Sequence, residues 1–209
     1  MTPVVLFSLT VHEYSHGRVA YFLGDDTAKR LGRLSFNPLR HIDPLGALCF
    51  YFMGFGWAKP VPVDWRNFDN PRKDLMYVSV AGPLSNIILA SICGFFVRII
   101  SPYEFPVLFY LSCFGVYINV ALCIFNLLPI FPLDGSSVLK GLVSQGMAIK
   151  LIALDRFGTV LILAVFLIDH FAHTGIIWYL IGYQIIFVTQ SLTQEAFPLL
   201  ENVLIMTFS

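Results

Sequence analysis

Charge is what this sequence has least of. Only 12% of its 209 residues are Asp, Glu, Lys or Arg, and the formal net charge is zero. Soluble domains carry about 25% charged residues, so the composition argues against a soluble protein. Because there is no excess of basic residues, the sequence gives no sign of a basic surface for nucleic acid, and no nucleic-acid partner is expected.

Cysteine is also scarce, and none of the four cysteines forms a C-x-x-C pair. All four lie in apolar surroundings, at Cys49, Cys93, Cys113 and Cys123. This pattern is atypical of a disulfide framework or of a thiolate metal site. We expect these side chains to act as small buried hydrophobic groups.

Apolar residues, in contrast, make up 57% of the chain, and the mean hydropathy is +0.75. A helix needs about 20 predominantly apolar residues to cross a bilayer. The sequence therefore predicts a lipid bilayer as its surroundings and residues 1–209 as a single membrane-embedded domain. About five transmembrane helices are predicted, at Pro3–Leu23, Leu75–Ile100, Val107–Phe131, Phe157–Phe171 and Gly175–Leu192.

A further apolar run, Leu45–Ala58, is too short to span the bilayer. It is rich in glycine and aromatic residues, and the segment after it alternates proline with valine in "KPVPV". These features favour a re-entrant or membrane-associated β-hairpin between the first and second spans. The predicted fold class is thus an α-helical polytopic membrane protein that also contains this hairpin.

Lys and Arg are distributed unevenly among the connections between the predicted spans. They concentrate in residues 24–74 and 132–156, whereas the opposite side holds only Arg98. Cytoplasmic loops of membrane proteins are enriched in Lys and Arg. The sequence therefore predicts a multi-pass membrane protein, with the N-terminus outside and the C-terminus in the cytoplasm.

Ionisable groups interrupt the first apolar segment in the motif H-E-x-x-H, formed by His12, Glu13 and His16. Residues four apart lie one turn above each other on a helix, so the two imidazoles can bind one metal ion. Glu13 follows the first ligand and can act as the general base of a zinc hydrolase. A solvated helix face is the usual alternative, but an apolar span penalises ionisable residues that have no function.

A catalytic zinc ion held by two histidines needs a third protein ligand. His41 lies in a loop, and His170 and His173 lie at the opposite end of a predicted span. Asp134 is the better candidate because it follows the third long span and enters from the same side as His16. Spacing alone leaves two interpretations of Asp134 open, a metal ligand and a turn residue before glycine.

Five stretches together resemble the site-2 protease family of intramembrane zinc metalloproteases. They occur in the family's order over roughly the first two-thirds of the chain: "HEYSHGRVAYFLGD", "GRLSFNPLRHIDPLG", "GWAKPVPVDWRNF", "AGPLSNIILA" and "FNLLPIFPLDG". The sequence leaves no room for a PDZ domain between the core spans or for a C-terminal CBS domain. It therefore resembles a compact prokaryotic member of the family, which implies a prokaryotic plasma membrane as its location.

The resemblance implies zinc bound by His12, His16 and Asp134, with Glu13 as the catalytic base. It also implies a substrate or oxyanion contact for Asn86, for which an interhelical hydrogen bond is the alternative. The implied reaction is hydrolysis of peptide bonds within or near transmembrane segments. The substrates would be membrane proteins, cleaved in regulated intramembrane proteolysis or signal-peptide clearance.

Overall fold

A computed structural model describes residues 2–53 and 56–208 of the chain. The α-helices are α1 (Thr2–Phe22), α2 (Thr27–Arg30), α3 (Pro44–Met53), α4 (Pro71–Ile99), α5 (Pro106–Asn126), α6 (Asp134–Leu142), α7 (Gln145–Ala172), α8 (Tyr183–Thr193) and α9 (Phe197–Phe208). Short 3₁₀ turns lie at Pro38–Arg40, Trp65–Asn67 and Gln194–Ala196, and a π-helical turn, Trp178–Gly182, precedes α8.

The helix at the centre of the fold is α4, which packs against α1, α5, α6 and α8. It begins with Pro71 in its first turn, where a missing backbone N–H costs nothing. The carboxylate of Asp74 accepts a hydrogen bond from the backbone N–H of Asn70 at 2.8 Å, which caps the first turn. A buried apolar cluster joins α4 and α5 to α8 and α9 and includes Ala90, Phe109, Val116, Ile185 and Leu200.

Three helices in the described residues are long and apolar enough to cross a membrane. They are α4, α5 and α7, and they contain or largely overlap the second, third and fourth predicted spans. The prediction of about five spans is therefore too high. The fifth predicted span, 175–192, forms a helical stretch made of the π-helical turn and α8, and it is not among these three helices.

The first predicted span is also not among the three helices that are long and apolar enough to cross a membrane, because polar residues interrupt it. It forms α1, which has sufficient length but turns polar side chains inward. Its buried residues include Ser8, Thr10, His12, Glu13 and His16. Since α1 contacts α4 and α5, its polar face lies against two apolar helices. This arrangement creates a polar interior between helices that are apolar overall.

The predicted β-hairpin between the first two spans is wrong. Residues 44–53 form α3, and the described residues 2–53 and 56–208 contain no strand, only one isolated antiparallel bridge between Ile42 and Ala58. The side chain of Asp43 accepts a hydrogen bond from the backbone N–H of Gly46 at 2.9 Å, which favours helix initiation. On the other side of the bridge, Pro60 and Pro62 lack the N–H groups that a β-ladder needs. Residues 54 and 55, within the predicted hairpin, lie outside the described residues.

Candidate metal centre

Helix α1 presents His12 and His16 on one face, one turn apart. Both residues are buried, with exposures of 5% and 9%. The Nε2 atoms of the two rings lie 3.0 Å apart, and the rings are nearly perpendicular. The two imidazoles therefore converge on a single point, as the four-residue spacing predicts.

Contacts with helix α4 determine which nitrogen of each imidazole ring is unprotonated and can bind a metal ion. The Nδ1 of His12 lies 2.6 Å from Oδ1 of Asn86, and the Nδ1 of His16 lies 2.7 Å from the carbonyl of Val78. Both partners are oxygen acceptors, so each Nδ1 carries the proton and donates it. In the neutral rings, each Nε2 then keeps a lone pair that points to the convergence point.

A third acceptor reaches that point from α6. Oδ2 of Asp134, the first residue of α6, lies 3.3 Å from Nε2 of His12 and 3.3 Å from Nε2 of His16. Zinc binds imidazole nitrogen and carboxylate oxygen at about 2.0–2.2 Å, so ligands at tetrahedral angles lie about 3.3–3.5 Å apart. The triangle of 3.0, 3.3 and 3.3 Å is close to that size.

The chemistry of these three atoms also suits a cation. With the two imidazoles neutral and protonated on Nδ1, no hydrogen lies between the two nitrogens and the carboxylate oxygen. The oxygen Oδ2 is buried and has no hydrogen-bond donor within the described part of the chain. Converging lone pairs repel one another unless a positive charge lies among them. Among the described residues, His12, His16 and Asp134 are the group of ligand side chains close enough to bind one metal ion.

Glu13 is held beside this group by the loop that precedes α4. Its side chain is 9% exposed, and its Oε2 accepts a hydrogen bond from the backbone N–H of Val61 at 2.7 Å. Zn²⁺ together with the carboxylates of Asp134 and Glu13 gives a formal charge of zero. A neutral cluster is far less costly to bury than an isolated dication.

Two glycines allow neighbouring elements to approach the centre closely. A Cβ atom on Gly82 of α4 would lie 2.5 Å from Cε1 of His12 and 2.5 Å from Cε1 of His16. A Cβ on Gly135, next to Asp134, would overlap the backbone carbonyl of Leu127. The glycine in "LDG" thus lets α6 begin against the end of α5, which fixes the position of the aspartate.

We expect Gly82→Ala to weaken zinc binding by about 10–100-fold, the usual cost of disturbing groups that orient metal ligands. The added methyl group would overlap both imidazoles and displace them from their present positions. Competition titration with a chromophoric chelator measures the affinity. Gly146→Ala is the matched control, because a Cβ at Gly146 meets no atom within 4 Å. Equal zinc affinity in the two variants would contradict the expected role of Gly82.

Asn86 is fully buried, and both the oxygen and the nitrogen of its side-chain amide make hydrogen bonds. While Oδ1 faces His12, Nδ2 donates to Oδ1 of Asn119 at 2.9 Å. Asn119 of α5 in turn donates to Oγ of Ser8 at 2.9 Å and to the carbonyl of Gly115 at 2.8 Å. This network links α1, α4 and α5 and fixes the orientation of the Asn86 amide.

Sequence reasoning had missed Asn119, although a polar residue inside an apolar span was a usable signal. It had also missed the carbonyl of Val78 and the N–H of Val61, which are backbone groups that side-chain motifs do not reveal. The other histidines do not join the centre. His41, for example, is buried in a loop with its Nε2 at 2.8 Å from the carbonyl of Ser35.

Comparisons with known proteins give relatives that are named as zinc metalloproteases. The family model described as "Peptidase family M50" matches residues 104–167. Several relatives carry the name "Putative zinc metalloprotease". YwhC of Bacillus subtilis is 41% identical over 169 residues, which cover 78% of this chain and 77% of that protein. Rip2 of Mycobacterium tuberculosis is 30% identical over 78% of this chain and 64% of its own length. Rip2 of Mycolicibacterium smegmatis is 29% identical, over 65% of this chain and 54% of its own length. No solved structure matches the chain.

Proposed function

This chain belongs to the site-2 protease family of zinc metalloproteases, peptidase family M50, and from that premise we propose that it cleaves other membrane proteins within or near their transmembrane segments. The observation that carries the proposal is that the two histidines of the ligand group lie against α4, one of the helices apolar and long enough to span a bilayer. His12 contacts Asn86 near the middle of α4, and α4 and α5 are both long and apolar enough to span a bilayer. This position supports a substrate peptide bond that enters from within or beside the bilayer.

The ligands of the zinc ion are proposed to be His12, His16 and Asp134. The converging acceptors and the size of the triangle support this assignment. When bound, zinc polarises a peptide carbonyl and activates water for attack. Asn86 is proposed to act through His12, because its amide is fully buried and occupied by His12 and Asn119. These contacts favour an orienting role over the direct substrate or oxyanion contact that the family resemblance suggested.

Glu13 is proposed to move the proton. Its carboxylate follows the first ligand in the chain and is held by one oxygen on the backbone of residue 61. It can accept a proton from the attacking water and donate it to the leaving amine. The substrate segment must be extended at the scissile bond, since a helical turn shields its own peptide groups.

The proposed location is the prokaryotic plasma membrane, with residues 1–209 as one membrane-embedded domain. The relatives compared above are bacterial proteins, and the family is membrane-embedded. The concentration of Lys and Arg in 24–74 and 132–156 supports cytoplasmic positions for both segments, because the two apolar helices α4 and α5 lie between them. The predicted orientation, with the N-terminus outside and the C-terminus inside, would also require the first and fifth predicted spans to cross the bilayer. Asp134 would then lie toward the cytoplasmic side, where water can reach the centre.

Metal removal tests the proposed reaction directly. Purified protein in liposomes is incubated with quenched fluorescent peptides, each carrying an apolar segment of about 20 residues. We expect cleavage to stop after treatment with 1,10-phenanthroline and to return when Zn²⁺ is added. A non-chelating phenanthroline isomer is the control. Mass spectrometry should place the new termini within or near the apolar segment. Cleavage that resists the chelator, or termini only in distant soluble parts, would contradict the proposal.

A further inference from the structure

The N–H of Val61 is isolated by the sequence around it. In the run Pro60–Val61–Pro62, the two prolines have no backbone N–H, so residue 61 supplies the only donor of the three. That donor goes to Oε2 of Glu13 at 2.7 Å, across 48 residues of sequence. We propose that the backbone N–H of Val61 is a positioning group for the catalytic base: it fixes one oxygen of Glu13 and leaves the other for proton transfer. This inference rests on the proposed role of Glu13.

Residues 58–64 form a strap that carries this donor. Hydrogen bonds anchor the strap before Val61. Ala58 forms the antiparallel bridge with Ile42, and the N–H of Lys59 donates to the carbonyl of His41 at 2.8 Å. The guanidinium of Arg33 donates to the carbonyl of Lys59 at 2.7 Å. Both backbone groups of Lys59 are therefore held, immediately before Pro60 restricts the next φ angle.

The strap is also anchored after Val61, by an acid close to the end of α1. The N–H of Asp64 donates to Oδ2 of Asp25 at 2.8 Å, and Asp25 is fully buried. Its other oxygen accepts from the hydroxyl of Thr27 at 2.5 Å and from the amide of Asn67 at 2.7 Å. Burial alone would raise the pKa of Asp25, but these hydrogen bonds together lower it below its usual range, so the anchor is a carboxylate near neutral pH.

The side chain of Val61 packs against α1 one turn after Glu13. It is 8% exposed, and a Cβ on Gly17 would lie 3.0 Å from its Cγ1 atom. The strap is thus held by hydrogen bonds at both ends and by close packing in the middle. Asp25, just past the end of α1, provides one of these anchors, so movement of the helix and movement of the donor are coupled.

This geometry has a chemical consequence for the base. A glutamate side chain has three rotatable bonds, and ordering it costs conformational entropy. A hydrogen bond on Oε2 restricts the carboxylate in advance. Within the described residues, Oε1 accepts no hydrogen bond, so it is the oxygen available to water. A purely structural contact would instead affect stability or zinc binding and leave the turnover of the folded, zinc-loaded protein unchanged.

Two measurements on the full chain test the proposal. Hydrogen exchange in detergent micelles reports the contact itself, and peptides covering 60–62 contain one exchangeable amide from those three residues. We expect the Val61 amide to exchange at least about tenfold faster in Glu13→Ala than in the unmodified protein. Equal exchange rates would overturn the proposal, and this readout does not depend on activity.

Kinetics with a fluorescent peptide of the kind described above report the consequence. Val61→Pro removes the N–H, and we expect kcat to fall about 10–100-fold while KM and zinc content stay unchanged. Val63→Pro is the matched control, because it introduces the same residue two positions later where no N–H bond to Glu13 is lost. Val61→Ala keeps the N–H and should restore most of kcat. Equal kcat in the two proline variants would overturn the inference, whereas full activity of Glu13→Gln would overturn the proposed role of Glu13 instead.

Discussion

Replacement of Glu13 by Gln is expected to lower kcat by about 10²–10⁴-fold, the usual contribution of a positioned general base, while one zinc ion stays bound per chain. Glutamine has nearly the same shape, and its side-chain oxygen can still accept the hydrogen bond from Val61. What it lacks is the ability to take a proton. Because Glu13 is not among the converging ligand atoms, its neutral replacement leaves the triangle of His12, His16 and Asp134 intact.

The measurement combines metal analysis with turnover on the same purified sample. Zinc is determined by mass spectrometry after dialysis, and cleavage is followed with the fluorescent peptide. Glu104→Gln serves as the control, because Glu104 is exposed in the connection before α5 and remote from α1 in the sequence. Full cleavage by Glu13→Gln would remove Glu13 from the mechanism. Loss of zinc from that variant would show that Glu13 supports the metal rather than the proton transfer.

The sequence predicted that His12, His16 and Asp134 lie close together, and the structure brings them together. The four-residue spacing of His12 and His16 specifies a shared helix face, and a buried dication selects a carboxylate over distant histidines. The structure brings Asp134 to within 3.3 Å of both rings. The supporting groups were harder to predict. The partner of His16 is a backbone carbonyl, and the partner of Glu13 is a backbone N–H, so neither leaves a side-chain signal in the sequence.

The fold was predicted less completely, and the errors have physical causes. Hydropathy identified α4, α5 and α7 because each has an apolar surface long enough for lipid. It overestimated the number of spans because the apolar run in α1 also carries the polar side chains that face inward. The glycine and aromatic content of 45–58 and the proline–valine alternation after it led to the predicted hairpin, but Asp43 starts a helix there instead. Strand propensity predicts secondary structure less well than helix capping does in this region. The following segment contains prolines, which have no N–H group to donate to a neighbouring strand.

Replacement of Asp134 by Asn is expected to lower zinc affinity by at least about 100-fold, the upper end of the cost of losing a group that only orients a ligand. The amide is a poorer ligand than the carboxylate, and the change removes one of the two negative charges that offset Zn²⁺. The site would then hold a net positive charge among buried groups, which is unfavourable in a membrane interior. Cleavage should fall together with zinc occupancy and recover in part at high zinc concentration.

The partial recovery of cleavage at high zinc concentration distinguishes a zinc ligand, Asp134, from a residue that transfers a proton, Glu13. For Asp134→Asn, added zinc should raise both occupancy and turnover, whereas for Glu13→Gln the occupancy is already complete and added zinc should change nothing. Asp69→Asn is the matched control, since Asp69 is exposed in the loop before α4 and outside the ligand group. Unchanged zinc affinity in Asp134→Asn would assign the third ligand elsewhere. The two variants together therefore separate metal binding from catalysis at adjoining carboxylates.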